Sequence, residues 1–314
     1  MNKLIIQIPC YNEGKSLPIT LKELPREVEG FDNVEWLIID DGCTDSTVEI
    51  AKAHGVKHIV SFTINQGLAR AYMAGLEACL KLGADVIVNT DADNQYNAKD
   101  ISKLVRPILE GKADIVIGAR PIDTIEHFST GKKALQKLGS WAIRRVSKTD
   151  IPDASSGFRA ISREAAMKLN VFNDYTYTLE TIIQAGQKNM AVISVPIQVN
   201  DDLRPSRLVR SILSYVTRSF MTIVRIFVVY RPFRFFFTIG LVLFTAGVLI
   251  GMRFLYYYFI HKGSGHIQSL ILAAIFLGMG FQTILVAFLA DLLSVNRKLL
   301  EDIQYGLRKE RSNK

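Results

Sequence analysis

Residues 86–93 read Val-Ile-Val-Asn-Thr-Asp-Ala-Asp, an apolar, β-branched run that ends in two carboxylates. Such a run predicts a buried strand, and the ligands of parallel α/β sheets bind beyond the carboxyl ends of the strands. Asp91 and Asp93 can share one hard cation, because Mg²⁺ and Mn²⁺ take oxygen ligands and keep positions open for phosphate oxygens. Gln95 is a further candidate ligand. Most isolated Asp-x-Asp pairs are solvated loop acids, so the meaning of this pair depends on the chain around it.

The first 200 residues around this run alternate between short apolar segments and helical patterns, which indicates an α/β fold. The early segments are apolar throughout, as in a sheet covered by helices on both faces and joined by right-handed crossovers. The predicted strands are Leu4–Pro9, Val34–Asp40, His58–Phe62, Val86–Thr90, Ile115–Gly118, Phe158–Ser162 and Val192–Val199. The predicted helices lie near residues 16–29, 45–54, 67–82, 98–110, 131–147 and 177–188.

Three further polar motifs follow predicted strands. The first, Pro-Cys-Tyr-Asn-Glu at residues 9–13, offers an aromatic ring to a base and a carboxylate to hydroxyl groups. The second, Asp-Asp-Gly-Cys-Thr-Asp at residues 40–45, offers an acid that can accept from a base N–H. The third, Asn-Gln-Gly-Leu-Ala-Arg at residues 65–70, opens a helix at Gly67 and ends in Arg70, which can face a nucleotide. Each motif alone also fits an ordinary strand-to-helix turn with a capping residue.

In this order and spacing, the motifs resemble the family 2 glycosyltransferases of the GT-A fold, and among them the polyprenyl-phosphate glycosyltransferases related to dolichol-phosphate mannose synthase. The resemblance covers residues 3–203. It implies a Rossmann-like mixed sheet and an inverting transfer of a hexose from a UDP- or GDP-sugar to a polyprenyl phosphate. It also implies that Asp91 and Asp93 bind Mg²⁺ or Mn²⁺, with Gln95 beside them and Asp93 in a catalytic role. The residues expected to bind the nucleotide-sugar are Pro9, Tyr11, Glu13, Asp41, Arg70 and Asp91.

Arginines are expected to bind the acceptor phosphate, since a guanidinium holds phosphate oxygens in a fork. Ile-Gly-Ala-Arg at residues 117–120 resembles the family's Gly-Ser-Arg and implies that Arg120 meets the acceptor phosphate in a catalytic role. A later Arg-Pro-Ser-Arg resembles the family's Arg-x-Gly-x-Ser-Lys, although the spacing is shorter, the glycine is missing and Arg replaces Lys. Its candidates for the acceptor phosphate are Arg204, Ser206 and Arg207.

Asp-Ala-Ser-Ser-Gly-Phe-Arg at residues 153–159 resembles a family motif that lies at the active site. A lipid phosphate is already an anion near neutral pH, so its attack on the anomeric carbon needs no strong base. Catalysis then reduces to positioning and charge balance. Asp153 is the candidate base if one is used, and its alternative role is structural, holding the loop or an arginine.

Two stretches without charge, residues 235–252 and 267–290, are each long enough to cross a bilayer core of roughly 30 Å as a helix. They predict a transmembrane hairpin with spans at about 235–259 and 267–290, although a pair of buried core helices also fits. Gly247 and Gly251 form a small-xxx-small pair that can pack the spans or join subunits.

The segment before the hairpin carries seven arginines between Arg204 and Arg234, and no acid occurs from Leu203 to Ala290. Arginines on one side of a helical wheel and apolar residues on the other predict an amphipathic helix over residues 204–232 that lies on anionic lipid. Basic residues flank the outer ends of the hairpin, which places the catalytic domain and both termini in the cytoplasm of an inner or plasma membrane protein. The predicted domains are residues 1–203, 204–232, 233–293 and a basic tail, 294–314.

The net charge, the cysteines and the first residues of the chain limit the possible binding partners and the cellular location. The net charge of +8 permits nucleic acid, but the arginines share a helix with an apolar face, which favours lipid. Three cysteines without metal spacing predict reduced thiols. The apolar stretch at the start of the chain, Met1 to Pro9, is too short to predict a signal peptide. A diacylglycerol or glycan acceptor remains the alternative, a homo-oligomer is plausible, and no pattern in the sequence selects the sugar.

Overall fold

The structure, a computed structural model, describes residues 2–121, 149, 151–171, 177–200, 224, 228, 231–260 and 267–312. The chain divides into two compact units. The first is Met1–Ser219 together with Gln304–Lys314, and the second is Phe220–Ile303.

The described part of the first unit contains one mixed sheet of seven strands, in the order β3-β2-β1-β4-β6-β5-β7. β6 is antiparallel to β4 and β5, and the other neighbours are parallel. All seven predicted strands are confirmed, with small shifts at their ends. The strands are β1 Lys3–Cys10, β2 Asn33–Asp40, β3 His58–Ser61, β4 Val86–Asn89, β5 Ile115–Ala119, β6 Arg159–Ser162 and β7 Val192–Pro196.

The helices of this unit lie close to the predicted positions. They are α1 Leu17–Glu23, α2 Thr47–Ala53, α3 Leu68–Lys81, α4 Ile101–Leu109, α5 Arg163–Lys168 and α6 Thr178–Gln187. α1 ends earlier than predicted, because Pro25 favours an extended conformation at Leu24, whose ψ is 134°. The six-residue α5 was not predicted; Ser162, the last residue of a predicted strand, caps it by accepting from the Ala165 N–H. The helix predicted at 131–147 lies outside the described residues.

The topology brings the predicted motifs to one edge of the sheet. β1, β2, β4 and β5 run in the same direction, so their carboxyl ends, which carry the motifs, share that edge. Because β6 runs the other way, the turn at residues 153–157 that precedes it lies at the same edge. The strands themselves form the core: Leu4, Ile6 and Ile38 are fully buried between the helical layers.

The described part of the second unit contains two long helices, α7 Pro232–Phe259 and the greater part of α8 Ile267–Ser312, which leaves this unit after Ile303. Both are long and apolar enough to cross a membrane, and only 11% and 17% of their apolar windows are buried. So little burial disfavours the alternative of two core helices. The second helix does not end near residue 290 as predicted but continues without a break to Ser312. Of the predicted interfacial helix over residues 204–232, the structure describes only Val224, Val228, Arg231 and Pro232, and Pro232 begins α7.

The two apolar helices pack through glycines, of which Gly247 belongs to the predicted pair. A Cβ on Gly247 would lie 2.8 Å from the Leu277 backbone nitrogen, and one on Gly240 would lie 3.0 Å from the Gly280 carbonyl oxygen. At Gly251 a Cβ would meet only an ordinary contact at 3.8 Å. The close approach between the helices therefore uses Gly240 and Gly247, two turns apart on one face of α7, and not Gly251; the alternative that the predicted pair joins subunits stays a prediction.

The last turns of α8 belong to the first unit and bind α5. The Tyr305 hydroxyl donates to Glu164 Oε1 at 2.7 Å. The Arg308 guanidinium donates to the carbonyls of Met167 at 3.1 Å and Leu169 at 2.8 Å. Carbonyls at the end of a helix have no partner within it, so Arg308 caps α5.

Candidate functional site

The loops that follow β1 and β2 are bonded to each other. The Thr44 N–H donates to Asn12 Oδ1 at 2.8 Å, and the Glu13 N–H donates to Thr47 Oγ1 at 2.9 Å. The Cys43 Sγ accepts from the Asn12 N–H at 3.2 Å. Burial raises the pKa of the Cys43 thiol to about 11, so at neutral pH it is a protonated structural group. The first two predicted nucleotide motifs thus form one hydrogen-bonded unit at the carboxyl ends of β1 and β2.

The predicted nucleotide-binding residues of the first motif differ in exposure. Pro9 lies in the buried body of β1, next to the loop. The Tyr11 ring is 43% exposed, which suits a platform for a base. Glu13 is 8% exposed, and its carboxylate accepts from the Ser16 hydroxyl at 2.8 Å.

Asp41 joins the second and third motifs. Its carboxylate accepts from the backbone N–H groups of Gln66 at 2.7 Å and Gly67 at 2.9 Å, and from Asn65 Nδ2 at 3.0 Å. Burial raises its pKa, although the two backbone donors oppose the shift. Asp41 therefore fixes the start of α3. Within that helix, Arg70 Nη1 donates to Gln66 Oε1 at 3.1 Å.

Gly42 makes this junction possible. Its φ is +71°, a left-handed conformation that side chains disfavour. A Cβ there would lie 2.5 Å from the Ile64 carbonyl carbon, so the loop after β3 can approach only a glycine.

Asp91 and Asp93 stand together at the carboxyl end of β4. Burial, reinforced by the charge of Asp93, raises the pKa of Asp91 to about 7, while Arg120 and the Tyr96 hydroxyl oppose the rise. The Gln95 N–H donates to Asp93 Oδ1 at 3.2 Å, which forms an Asx turn in the loop after β4. Because the neighbouring charge of Asp93 disfavours ionisation of Asp91, a cation bound between the two carboxylates would be stabilised.

The donor set fits a hard divalent cation that shares its coordination with a phosphate ligand. Both carboxylates offer oxygens, as Mg²⁺ and Mn²⁺ require. Within the described ranges, no group of three or more His, Cys, Asp or Glu residues is arranged to hold an ion. A cation here would therefore depend on oxygens from its ligand as well as on Asp91 and Asp93.

Arg120 and Asp153 form a buried ion pair beside these carboxylates. Arg120 Nε donates to Asp153 Oδ2 at 2.7 Å and Nη2 donates to Oδ1 at 3.1 Å, so the pair is bidentate. The side chains are 10% and 0% exposed. Ser155 Oγ accepts from Arg120 Nη2 at 2.8 Å. Burial would raise the pKa of Asp153, but the charge and hydrogen bonds of Arg120 outweigh it, and the pKa lies below its ordinary value.

The arginine at the end of the 153–159 motif does not face the site. Arg159 is fully buried, and its guanidinium donates to the carbonyls of Ser156 at 2.8 Å, Thr178 at 2.9 Å and Ala154 at 3.1 Å. It therefore ties the turn before β6 to the start of α6. This role is structural, because the buried guanidinium donates to main-chain carbonyls of both segments.

Sequence reasoning missed a buried polar cluster behind the carboxylates. Its members are Gln7, Asn89, Tyr96 and Tyr177, all at most 4% exposed. A signal was present, because Gln7 and Asn89 are amides inside strands that are otherwise almost wholly apolar. A buried amide needs partners, so such a position predicts a hydrogen-bonded network.

The structure brings together two groups of predicted residues along one edge. The nucleotide group comprises the loops after β1 and β2 with the start of α3, and the second group comprises Asp91, Asp93, Arg120 and Asp153. The remaining predicted residues, Arg204, Ser206 and Arg207, lie outside the described residues. None of the individual roles is tested by this geometry, and they stay predictions.

Known proteins of similar sequence identify the family of this chain. The model of the family described as glycosyl transferase family 2 matches residues 5–169. An uncharacterized protein of Methanocaldococcus jannaschii is 32% identical over 207 residues, which is 63% of this chain and 81% of that protein. The polyprenol monophosphomannose synthase of Mycolicibacterium smegmatis is 28% identical over 206 residues, 62% of this chain and 76% of that enzyme.

Solved structures show the same fold. Glucosyl-3-phosphoglycerate synthase from Mycobacterium tuberculosis, in complex with Mn²⁺, UDP and glucosyl-3-phosphoglycerate, superposes with a TM-score of 0.54 and 19% identity. The superposition covers 72% of this chain and 79% of that one. The mixed sheet described above is therefore that of the GT-A glycosyltransferases.

Proposed function

The chain belongs to glycosyl transferase family 2, and from this premise we propose that it transfers a hexose from a nucleotide-sugar to a polyprenyl phosphate at a membrane surface. The family and the GT-A fold make it a glycosyltransferase. The lipid-phosphate acceptor is supported by the relative named for polyprenol and by two helices able to cross a membrane.

One observation carries the proposal: a guanidinium is held rigidly beside the Asp-x-Asp carboxylates. Asp153 engages Nε and Nη2 of Arg120, and Nη1 has no hydrogen-bond partner among the described residues. Because a guanidinium has five N–H donors, Arg120 keeps two for an incoming anion. A phosphate acceptor that must approach a negatively charged diphosphate needs such a fixed cation.

The geometry favours a positioning role for Asp153 over that of a base. Its pKa is lowered and its carboxylate is fully buried against Arg120, so it remains ionised and holds the guanidinium. A phosphate acceptor is itself an anion near neutral pH, so its attack requires no proton to be removed. Arg120 is then the catalytic residue that touches the acceptor, and Asp153 orients it.

The donor is proposed to lie along the neighbouring loops. Tyr11 would stack on the base, and Pro9, Glu13, Asp41 and Arg70 would line the nucleoside side of the site. Asp91 and Asp93 would hold Mg²⁺ or Mn²⁺, with Gln95 beside them, and the cation when bound neutralises the charge of the diphosphate leaving group. Arg204, Ser206 and Arg207 are proposed as further contacts to the acceptor phosphate.

We also propose that α7 and α8 anchor the enzyme as an integral membrane protein of the inner or plasma membrane. The catalytic domain and both termini would be cytoplasmic, and the arginines of 204–232 would lie on anionic lipid. A lipid acceptor and a membrane anchor are consistent, because the phosphate head of a polyprenyl chain is confined to the membrane surface. A homo-oligomer remains part of the proposal.

A transfer assay tests the function directly. The full chain in detergent receives undecaprenyl phosphate, Mn²⁺ or Mg²⁺, and a panel of radiolabelled UDP- and GDP-sugars. We expect one donor to give a metal-dependent, lipid-extractable product that EDTA abolishes. Asp93→Asn should abolish the product, whereas Glu110→Gln, a matched change in an exposed carboxylate, should not. Transfer to diacylglycerol or a glycan, with none to the polyprenyl phosphate, would refute the acceptor.

A further inference from the structure

A chain of hydrogen bonds connects four separate segments of the polypeptide beneath the site. Gln7 Nε2 donates to Asn89 Oδ1 at 2.9 Å, which fixes the orientation of the Asn89 amide. Asn89 Nδ2 then donates to the Gly157 carbonyl and to the Tyr177 hydroxyl, each at 2.9 Å. The amide group thereby has its oxygen and both N–H groups engaged, which locks the end of β4 to the 153–157 turn and to the residue before α6.

Gly157 is where this chain of hydrogen bonds meets the carboxylate that we assign to the metal. A Cβ on Gly157 would lie 3.1 Å from both oxygens of Asp91 and 3.0 Å from the Tyr177 hydroxyl. The Asp91 carboxylate therefore rests against the Gly157 main chain, with the Tyr177 hydroxyl close by. The Gly157 N–H donates to the Tyr96 hydroxyl at 3.1 Å, so both polar groups of its backbone are held.

We infer that Tyr177 is a positioning residue for the metal site: its hydroxyl, through Asn89 and Gly157, sets the orientation in which Asp91 binds a divalent cation. The inference rests on the assignment of Asp91 to the cation in the proposed function. Groups that orient metal ligands affect affinity although they do not touch the ion, and their loss commonly weakens binding by about 10- to 100-fold.

The neighbouring Tyr72 provides a matched control. Its ring stacks on that of Tyr177 with centroids 3.8 Å apart and planes 8° from parallel. Both tyrosines are fully buried, yet the Tyr72 hydroxyl has no hydrogen-bond partner within the part of the chain that the structure describes. Removing either hydroxyl makes the same chemical change in the same stack, but only at Tyr177 does it remove a hydrogen bond of the chain that holds Gly157, against which the Asp91 carboxylate packs.

The experiment compares Mn²⁺ binding by the full chain in detergent, with UDP present and no acceptor, for wild type, Tyr177→Phe and Tyr72→Phe. Free Mn²⁺ is measured by electron paramagnetic resonance. We expect the dissociation constant of Tyr177→Phe to rise about ten-fold, the lower end of the range for such groups, and that of Tyr72→Phe to stay at the wild-type value. Sugar transfer to the active acceptor, followed against Mn²⁺ concentration, should show the same shift, with kcat restored at saturating metal.

Wild-type Mn²⁺ affinity in a folded Tyr177→Phe protein would overturn the inference, as would an equal loss in both variants or a fall in kcat that metal cannot restore. Thermal unfolding establishes which variants are folded. If Tyr177→Phe does not fold, Gly157→Ala decides, since its Cβ would press on both Asp91 oxygens; unchanged affinity there would also overturn the inference. The readout does not depend on the acceptor, so it separates failure of this inference from failure of the proposed polyprenyl-phosphate transfer.

Discussion

Replacement of Asp153 by asparagine should show how much the protein depends on the buried pair with Arg120. The two side chains are 0% and 10% exposed, so solvent screens their interaction little. Removing one partner of a buried ion pair costs about 3–5 kcal/mol, because the other charge is left in a poor solvent. Asparagine keeps one oxygen that accepts from the guanidinium, so Asp153→Asn should lose about 3 kcal/mol of unfolding free energy, the lower end of that range.

The same substitution should reduce sugar transfer more than it reduces donor binding. Without the bidentate carboxylate, the Arg120 guanidinium can rotate away from the position set by its bonds of 2.7 and 3.1 Å. A displacement of about 1 Å at a reacting site can cost on the order of 100-fold in rate. We therefore expect about a 100-fold fall in kcat/KM for the acceptor, with the dissociation constant of the nucleotide-sugar close to that of wild type.

The stability difference should also depend on pH. The pKa of Asp153 is lower in the folded protein than in the unfolded chain, where it is about 3.9. The contribution of this carboxylate to the free energy of unfolding is therefore fully present above a pH of about 3.9, and it is lost as the pH falls through the folded pKa. The gap in unfolding free energy between wild type and Asp153→Asn should thus be constant near neutral pH. It should shrink only when the pH falls below about 4.

Urea unfolding of the full chain in detergent, followed by circular dichroism, gives the stabilities, and a double-mutant cycle with Arg120→Met isolates the pair. In the double variant both charges are gone, so it should be more stable than Asp153→Asn alone. Glu110→Gln, which breaks an exposed ion pair with Arg106, should leave the unfolding curve unchanged. Equal stability of Asp153→Asn and wild type at pH 7 would show that the buried Arg120–Asp153 pair does not stabilise the fold.

Two further predictions concern parts of the chain away from the site. Gly247→Leu should destabilise the α7–α8 hairpin by about 1–3 kcal/mol, because its Cβ would lie 2.8 Å from the Leu277 backbone nitrogen, whereas Gly251→Leu should be tolerated. Thermal unfolding in detergent compares them, and equal effects at the two glycines would contradict the described packing. Arg308→Ala should cost about 1–3 kcal/mol by leaving the carbonyls at the end of α5 without a donor, whereas Glu310→Ala, an exposed position two residues on, should have no effect. Thermal unfolding again decides, and an unchanged midpoint for Arg308→Ala would show that this contact is not formed in solution.

The strands of the sheet, the edge at which the site lies and the two apolar helices can all be predicted from the amino-acid sequence. Each strand could be predicted because an apolar, β-branched run favours a buried strand whatever elements pack on it. The position of Asp91, Asp41 and Arg120 at one edge followed from strand direction alone, since side chains that come after parallel strands must lie at their shared carboxyl end. The two long uncharged stretches were also predicted from local information, because composition and length suffice to predict a helix able to cross a membrane.

Which residues act together depends on contacts that form only when the chain folds. Asp153 pairs with Arg120 across 33 positions of the chain, and Asn89 bonds to Tyr177 across 88, separations over which no local pattern carries information. The same holds for Gly240, which packs against α8 where the sequence pattern favoured Gly251, and for Arg308, whose binding to α5 depends on where α8 ends. The physical reason is common to all of them. Burial, ion pairing and close packing are set by the neighbours that folding brings together, and periodicity along the chain does not specify those neighbours.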